Sequence, residues 1–552
     1  MASGLELTFS ILSKTQNEAA VAVLLNALDS TDRNVQAGAL GAVLSHRSPT
    51  GHRELLRRWH ALSKRWKKLA SDSPGRLTSA IRDAVLSSDE QLHANGCDAA
   101  IVLREYDLIP ALLTAAEDSS NPHADRSAET LLQLVSAMSA ELAVPRDYRN
   151  RRNPHLVRAR AAGAIEQSAN RFDRHKRPEI VEAFLLVARR DNSAFKHILQ
   201  HPHNKAYVTL VRLLSHSPRP GVMRLILDSL NDNRVPSVIY NILARRKDVS
   251  FVRHMLKRFA SEIPINVRRN LKRIESFSWL CEDMNLLSAL NGEEQRGAIQ
   301  LAMASGMSRI QVFEVVEFIM QNGTVDGRRE AANVLSDFRG DAANQTVIRA
   351  LEDDDAAVRA VAVSQLRERG VRGAKTTLLG LVDSPDELVR DAARESLSEF
   401  TFDRLLASFG TLDDETRVET AKFVIRVDPL AVEGLREELQ SPIRVRRIRA
   451  IQMADAMEVV AEIEPLMIAL LSDQDHVIRA SAAEALLRSP SAASRTALRD
   501  AILDRSDIVR DAAGQTLQAF AESELVSPSA PRPLPLDLSG SDLTSDSGEA
   551  IT

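Results

Sequence analysis

The chain has 552 residues, too many for a single hydrophobic core, so it reads as several domains or a repeat array. Aromatic residues are only 4%, against 44% hydrophobic and 26% charged, a balance that excludes a strand-rich fold and favours helices packed through small residues. Net charge is −4 but is split, with +14 on residues 1–281 and −18 on residues 282–552, so any attraction to an anionic partner belongs to the first half.

In chain order, the first helix-start signal is Asp32, four residues before Gln36 and followed by Ala39 and Val43. The acid is placed to accept a hydrogen bond from a free backbone N–H, and the small and aliphatic residues beyond it form one buried stripe. Asp89 repeats the pattern with His93, Gly96 and Ala100, and Asn153-Pro154 leads to Arg158, Ala161 and Ile165, with Pro154 suited to a first helical turn. The spacings here are long, 57 from Gln36 to His93 and 65 from His93 to Arg158, and predict inserted turns or lengthened helices.

Between the first two signals, Leu55, Trp59, Leu62, Trp66 and Leu69 fall on one predicted helical stripe, with Arg57, Arg58, Lys64, Arg65, Lys67 and Lys68 on the other faces. A core face is the simpler reading of that stripe; an anionic membrane surface or a partner groove is the alternative. Two further basic stretches include Arg149, Arg151, Arg152 and Arg158, then Arg253, Lys257, Arg268 and Arg269. Arranged along one wall they would bind an acidic protein or nucleic-acid phosphates with strong salt dependence; scattered, they would only solvate the surface.

The second half is regular. Asp355 leads to Arg359, Ala362 and Leu366; Asp386 to Arg390, Ala393 and Leu397; Asp475 to Arg479, Ala482 and Leu486. Thr324 with Arg328, Asp413 with Arg417 and Thr420, and Ser506 with Arg510 keep the pattern, while Arg447 keeps it with Ile443 in the capping place. Successive arginines from Arg328 to Arg510 are separated by 31, 31, 27, 30, 32 and 31 residues, a unit that holds two helices of about three turns and two short turns. Each Arg can pair with the acid four residues before it or bridge to the neighbouring repeat.

Over roughly residues 285–521 this pattern resembles the HEAT repeat, in particular its short form in the phycobilisome bilin lyases. The resemblance implies an all-α fold, an alpha-alpha superhelix or HEAT-like repeat solenoid, with ladders formed by the turn Asp and the following Arg. The expected organisation is a degenerate, basic helical-repeat region over 1–281, regular acidic repeats over 282–521 and a disordered Pro/Ser/Asp-rich tail over 522–552.

No catalytic pattern emerges. Gly370-Val-Arg-Gly373-Ala374-Lys375-Thr376 lacks the glycine that a phosphate loop needs directly before its Lys, and Gly373 is expected to end a helix. None of the 13 histidines is followed by Glu, so the di-iron site of the HEAT-type deoxyhypusine hydroxylases is not carried over. His197, His201 and His203 cluster, but Pro202 breaks their helix and no Cys or carboxylate lies beside them. Cys97 and Cys281 cannot form a disulfide framework. With no secretory leader and no run of about 18 apolar residues, the expected location is the cytoplasm. The expected function is a non-enzymatic scaffold or adaptor without a cofactor, binding protein partners; nucleic-acid binding by the first half is the alternative, and a lyase-like accessory role a lower one.

Overall fold

The structure, a computed structural model, describes residues 4–15, 17–143, 154–282 and 284–526. Among the described residues it holds 34 α-helices, four short 3-10 helices and no strand, in the helix-pair arrangement of an alpha-alpha repeat solenoid. By packing it divides into two units, Met1–Thr346 and Val347–Thr552.

In the first unit the second helices of successive repeats form a row in which each packs on the next: Glu90–Val102, Ala124–Ala143, Pro178–Val187, Pro220–Ser229, Val249–Phe259, Gly292–Ala304 and Val325–Leu335. The long sequence spacings have two causes. The extra helix Lys64–Ser71 is inserted between Arg33–Ser45 and Glu90–Val102 and packs on both, and a complete repeat, Ile109–Glu117 with Ala124–Ala143, lies between His93 and Arg158. Helix Pro154–Asn170 does not join the row. It packs on Ile109–Glu117 and Pro178–Val187, while Ala124–Ala143 meets Pro178–Val187 directly, so Arg158 lies outside the ladder row that its sequence pattern predicts.

Asp32 and Asp89 cap their helices, accepting from the Asn34 amide at 2.7 Å and the Leu92 amide at 2.9 Å. The stripe residues Ala39, Val43 and Ala100 are buried, as are Ala161 and Ile165. Two members of the row approach so closely that a Cβ built on Gly297 would stand 2.0 Å from the Leu256 carbonyl oxygen. The change of charge at 281/282 is not a break in packing. Val249–Phe259 lies directly on Gly292–Ala304, and the Gly306 amide donates to the Ile274 carbonyl at 2.9 Å. Charge is a surface property, and the apolar stripes continue beneath it.

In the second unit, Ala356–Gln365 packs on Glu387–Ser396, and Asp414–Val427, Arg444–Ala456, His476–Ala485 and Asp507–Val526 follow as a consecutive run. Ala362, Ala393, Ala450, Ala482 and Ala513 are buried at the small position of the repeat. In the repeat of Arg417 that position is filled by Ala421, fully buried, rather than by Thr420. The last helix runs to Val526, past the expected start of the tail; the rest of 522–552 lies outside the described residues.

Candidate interaction surface

The turns leading into the second helices carry a repeated polar device. Asp353 accepts from the Asp355 amide at 2.9 Å, and Asp355 caps its helix by accepting from the Val358 amide at 3.1 Å. Asp473 and Asp475 repeat this at 2.9 and 2.7 Å, and Asp504 accepts from the Ser506 amide at 2.8 Å. The Arg that follows donates back to the carbonyl six residues earlier: Arg359 to Asp353, Arg390 to Ser384, Arg447 to Ser441, Arg479 to Asp473 and Arg510 to Asp504.

The same guanidinium then reaches the next turn. Arg359 donates to Asp386 at 2.5 Å, Arg447 pairs with Asp473 at 3.1 Å, and Arg479 holds Asp504 with two bonds of 2.9 Å. Bidentate, charge-assisted pairs of this kind are strong and directional. The bond to Arg479, with burial opposing it, holds the Asp504 carboxyl below the usual carboxylate range.

Two ladder residues, Asp386 and Arg417, depart from the expected roles. Asp386 makes no side-chain cap bond and accepts from Arg359 instead. Arg417 donates to the Phe409 carbonyl and to Asp414, both in its own repeat, while Asp413 caps the helix through the Thr416 amide at 3.0 Å. Arg328 donates to the Gly323 carbonyl at 3.1 Å.

Sequence reasoning missed Asp473 and Asp504, the forward acceptors; the available signal was an acid two residues before the cap position. It also missed Gln295. Its amide donates to the Leu287 carbonyl at 2.9 Å and accepts from the Thr324 amide and hydroxyl, both at 2.8 Å, so it serves as the uncharged equivalent of the ladder Arg.

The tryptophan stripe is not one helix. Pro49–Arg57 ends at Arg58, Trp59–Ala61 is a 3-10 turn, and Lys64–Ser71 restarts after extended Ser63. Leu55 and Trp59 are fully buried, Leu62 and Trp66 half-buried and Leu69 exposed. Much of the surrounding charge is engaged. Arg57 pairs with Glu54 at 3.3 Å, Arg58 with Asp29 at 2.9 Å, and Lys67 with Asp98 at 2.7 Å, the same carboxylate that accepts from the Trp59 indole. Arg65 lies over the Trp66 ring, and Lys64 and Lys68 are exposed.

Arg149, Arg151 and Arg152 lie outside the described residues. Arg253 and Lys257 approach Glu294 at 3.8 and 3.6 Å, Arg269 donates to Asn233 at 3.2 Å, and Arg268 is exposed. A different basic cluster forms instead: Arg158, Arg189, Arg190 and Arg224 surround a cleft of about 480 Å³ that also holds Asp191 and Asp228. Arg158 donates to the Val187 carbonyl at 2.7 Å, and burial, followed by the charges of Arg189 and Arg224, lowers its pKa. Arg189 and Arg224 make no ion pair among the described residues.

The other sequence candidates have structural roles. Gly373, at φ +78°, stands before helix Ala374–Leu381 rather than at the end of one, and Lys375 lies over the rings of Phe400 and Phe423. The His197 and His201 rings lie 4.2 Å apart, tilted by 35°, and the described residues hold no group of three metal-ligating side chains. His93 is fully buried, bonded to Ser127 at 3.0 Å and stacked on His123. Burial, with the charges of His123 and Arg126, takes its pKa down to about 4. The unfolded chain therefore binds a proton near 6.5 that the folded unit refuses until about 4, so stability falls as pH drops through that window. Urea titrations should show a loss on the order of 3 kcal/mol between these limits, flattened in H93Q.

Residues 314–398 match the family model for HEAT repeats, so this segment carries repeats of that class; the match is not to the bilin-lyase form in particular. No curated protein matches the sequence. Among solved structures the chain is similar to one from work on the interaction between cadherin and beta-catenin, at 14% identity and TM-score 0.25, covering 91% of this chain and 99% of that one. It is also similar to the karyopherin Kap121p bound to the SUMO protease Ulp1p, at 11% identity and TM-score 0.23, covering 94% and 72%. A third likeness is to Kap121p bound to RanGTP, at 11% identity and TM-score 0.30, covering 88% and 52%. No described helix is long and apolar enough to cross a membrane.

Proposed function

We propose that the chain is a non-enzymatic scaffold that docks polypeptide partners, and that the cleft of Arg158, Arg189 and Arg224 receives an acidic segment of such a partner. The supporting observation is the contrast between the cleft and the ladder. Along the ladder, guanidiniums find carboxylates and carbonyls, whereas Arg189 and Arg224 repel Arg158 across a cleft. Like charges held together lower stability unless an external anion relieves them.

The test is fluorescence anisotropy of a short polyglutamate peptide against wild type and R189E/R224E. Peptide binding should weaken by at least about tenfold in the variant and fall with salt. Single-stranded or duplex DNA binding more tightly than the peptide, with a steep salt slope, would replace this reading with the nucleic-acid one. An unchanged peptide affinity in the variant would remove the cleft from the proposal.

A further inference from the structure

We propose that a cavity near the start of the chain, between helices Arg33–Ser45, Pro49–Arg57 and Thr78–Val85, is a binding site for a small phosphomonoester with a polar, sugar-like body. The cavity measures about 730 Å³. That is well within the range that takes small organic ligands and much larger than a bare phosphate needs.

Its wall contains His46, which is 95% buried, and neither ring nitrogen of His46 has a hydrogen-bond partner. An imidazole with two unsatisfied nitrogens is costly to bury, because the desolvation of each polar atom is uncompensated. At the mouth stand Arg47, Arg53 and Arg76, contributed by three separate segments, all exposed and none in an ion pair among the described residues. Glu54, one of two acids on the wall, is already engaged by Arg57 at 3.3 Å, leaving Asp83. Four arginines against two carboxylates leave a charge of +2, which a phosphate dianion neutralises.

Neighbouring His52 is biased toward its neutral form. It faces the Val43 carbonyl at 3.1 Å, and burial lowers its pKa. Guanidinium forks drawn from different segments suit an anion with several oxygens better than they suit a single carboxylate. The described lining has no Phe, Tyr or Trp on which a base would stack, while Thr50, Ser79 and Asp83 offer partners for hydroxyl groups. These features favour a sugar phosphate over a nucleotide.

Isothermal titration of the full chain with ribose 5-phosphate, ribose and inorganic phosphate tests the assignment. Ribose 5-phosphate should bind with a Kd below about 1 mM, ribose should give no heat, and inorganic phosphate should bind at least about tenfold more weakly than the ester. The exposed pair R53A/R76A should keep the thermal midpoint of the unliganded chain and weaken ester binding by at least about tenfold. H46F, which replaces the two unpartnered nitrogens by the carbons of a somewhat larger ring, should weaken binding. No binding of the ester, or equal binding by wild type and R53A/R76A, would overturn the site. Inorganic phosphate binding as tightly as the ester would overturn the sugar-like body, and a phosphoserine peptide binding more tightly than ribose 5-phosphate would overturn the small-molecule occupant. None of these substitutions touches the Arg158 cleft, so the two readings fail independently.

Discussion

Arg479→Ala is expected to destabilise the second unit by about 3–5 kcal/mol, measured as a fall in its urea midpoint. The side chain is 4% exposed and satisfies the Asp473 and Gln474 carbonyls together with both oxygens of Asp504, itself only 15% exposed. Truncation leaves a carboxylate and two carbonyls without their donor, and breaking one side of a buried pair costs more than the pair contributes. R479A/D504L should recover part of the loss, because the orphaned charge goes with its partner. Arg390→Ala, whose described bond is a single one to the Ser384 carbonyl at 3.2 Å, should cost only about 1 kcal/mol. The pH dependence has a definite sign. Asp504 is depressed below its ordinary 3.8, so its contribution is complete above about pH 4 and is lost as pH falls through the lower folded value. R479A should lose the largest part of that acid-dependent component.

Gly297→Ala should destabilise the first unit by about 3 kcal/mol, at the upper end of overpacking costs, and its thermal midpoint would show it. Within a helix this change normally stabilises by about 1 kcal/mol, since Ala has less backbone entropy to lose. The sign reverses here because the new methyl would sit 2.0 Å from the Leu256 carbonyl oxygen and 2.7 Å from its carbon, backbone atoms that cannot swing aside. Gly163→Ala and Gly514→Ala are the controls. Nothing lies within 4 Å of the point where either added methyl would stand, so both should stabilise by about 1 kcal/mol. A neutral Gly297→Ala would mean that the two helices separate at little cost.

What could be seen in the sequence follows from where the information resides. The arginines at 359, 390, 479 and 510 were visible because the polar residue four before each Arg, the Arg and the small residue three after it follow one another along a single helix, where spacing alone sets their faces. Their acceptors were not. Asp504 is 25 residues from Arg479, and only the stacking of one turn on the next brings the two together. The repeats at Pro178 and Pro220 were hidden for another reason: each helix enters through an Arg-Pro pair with no acidic cap to mark it. The Trp59 stripe misled because helical periodicity does not register the break between Arg58 and Ser63, which tertiary packing imposes. Arg158 stood out by its charge, whereas Arg189 and Arg224 became partners of one cleft only through the meeting of four helices and the turn that follows Val187.

The forward reach of the turn arginines also bears on how such a chain grows. Where the ladder is complete, the guanidinium is a plug and the following turn a socket of the same pattern, as Arg447 with Asp473 and Arg479 with Asp504 show. Excising the stretch that begins at Asp473 and stops before Asp504 would therefore present Arg447 with Asp504 in the place Asp473 had held. Gene duplication or loss of one module then leaves no dangling connector, which lets length drift while the wiring stays intact.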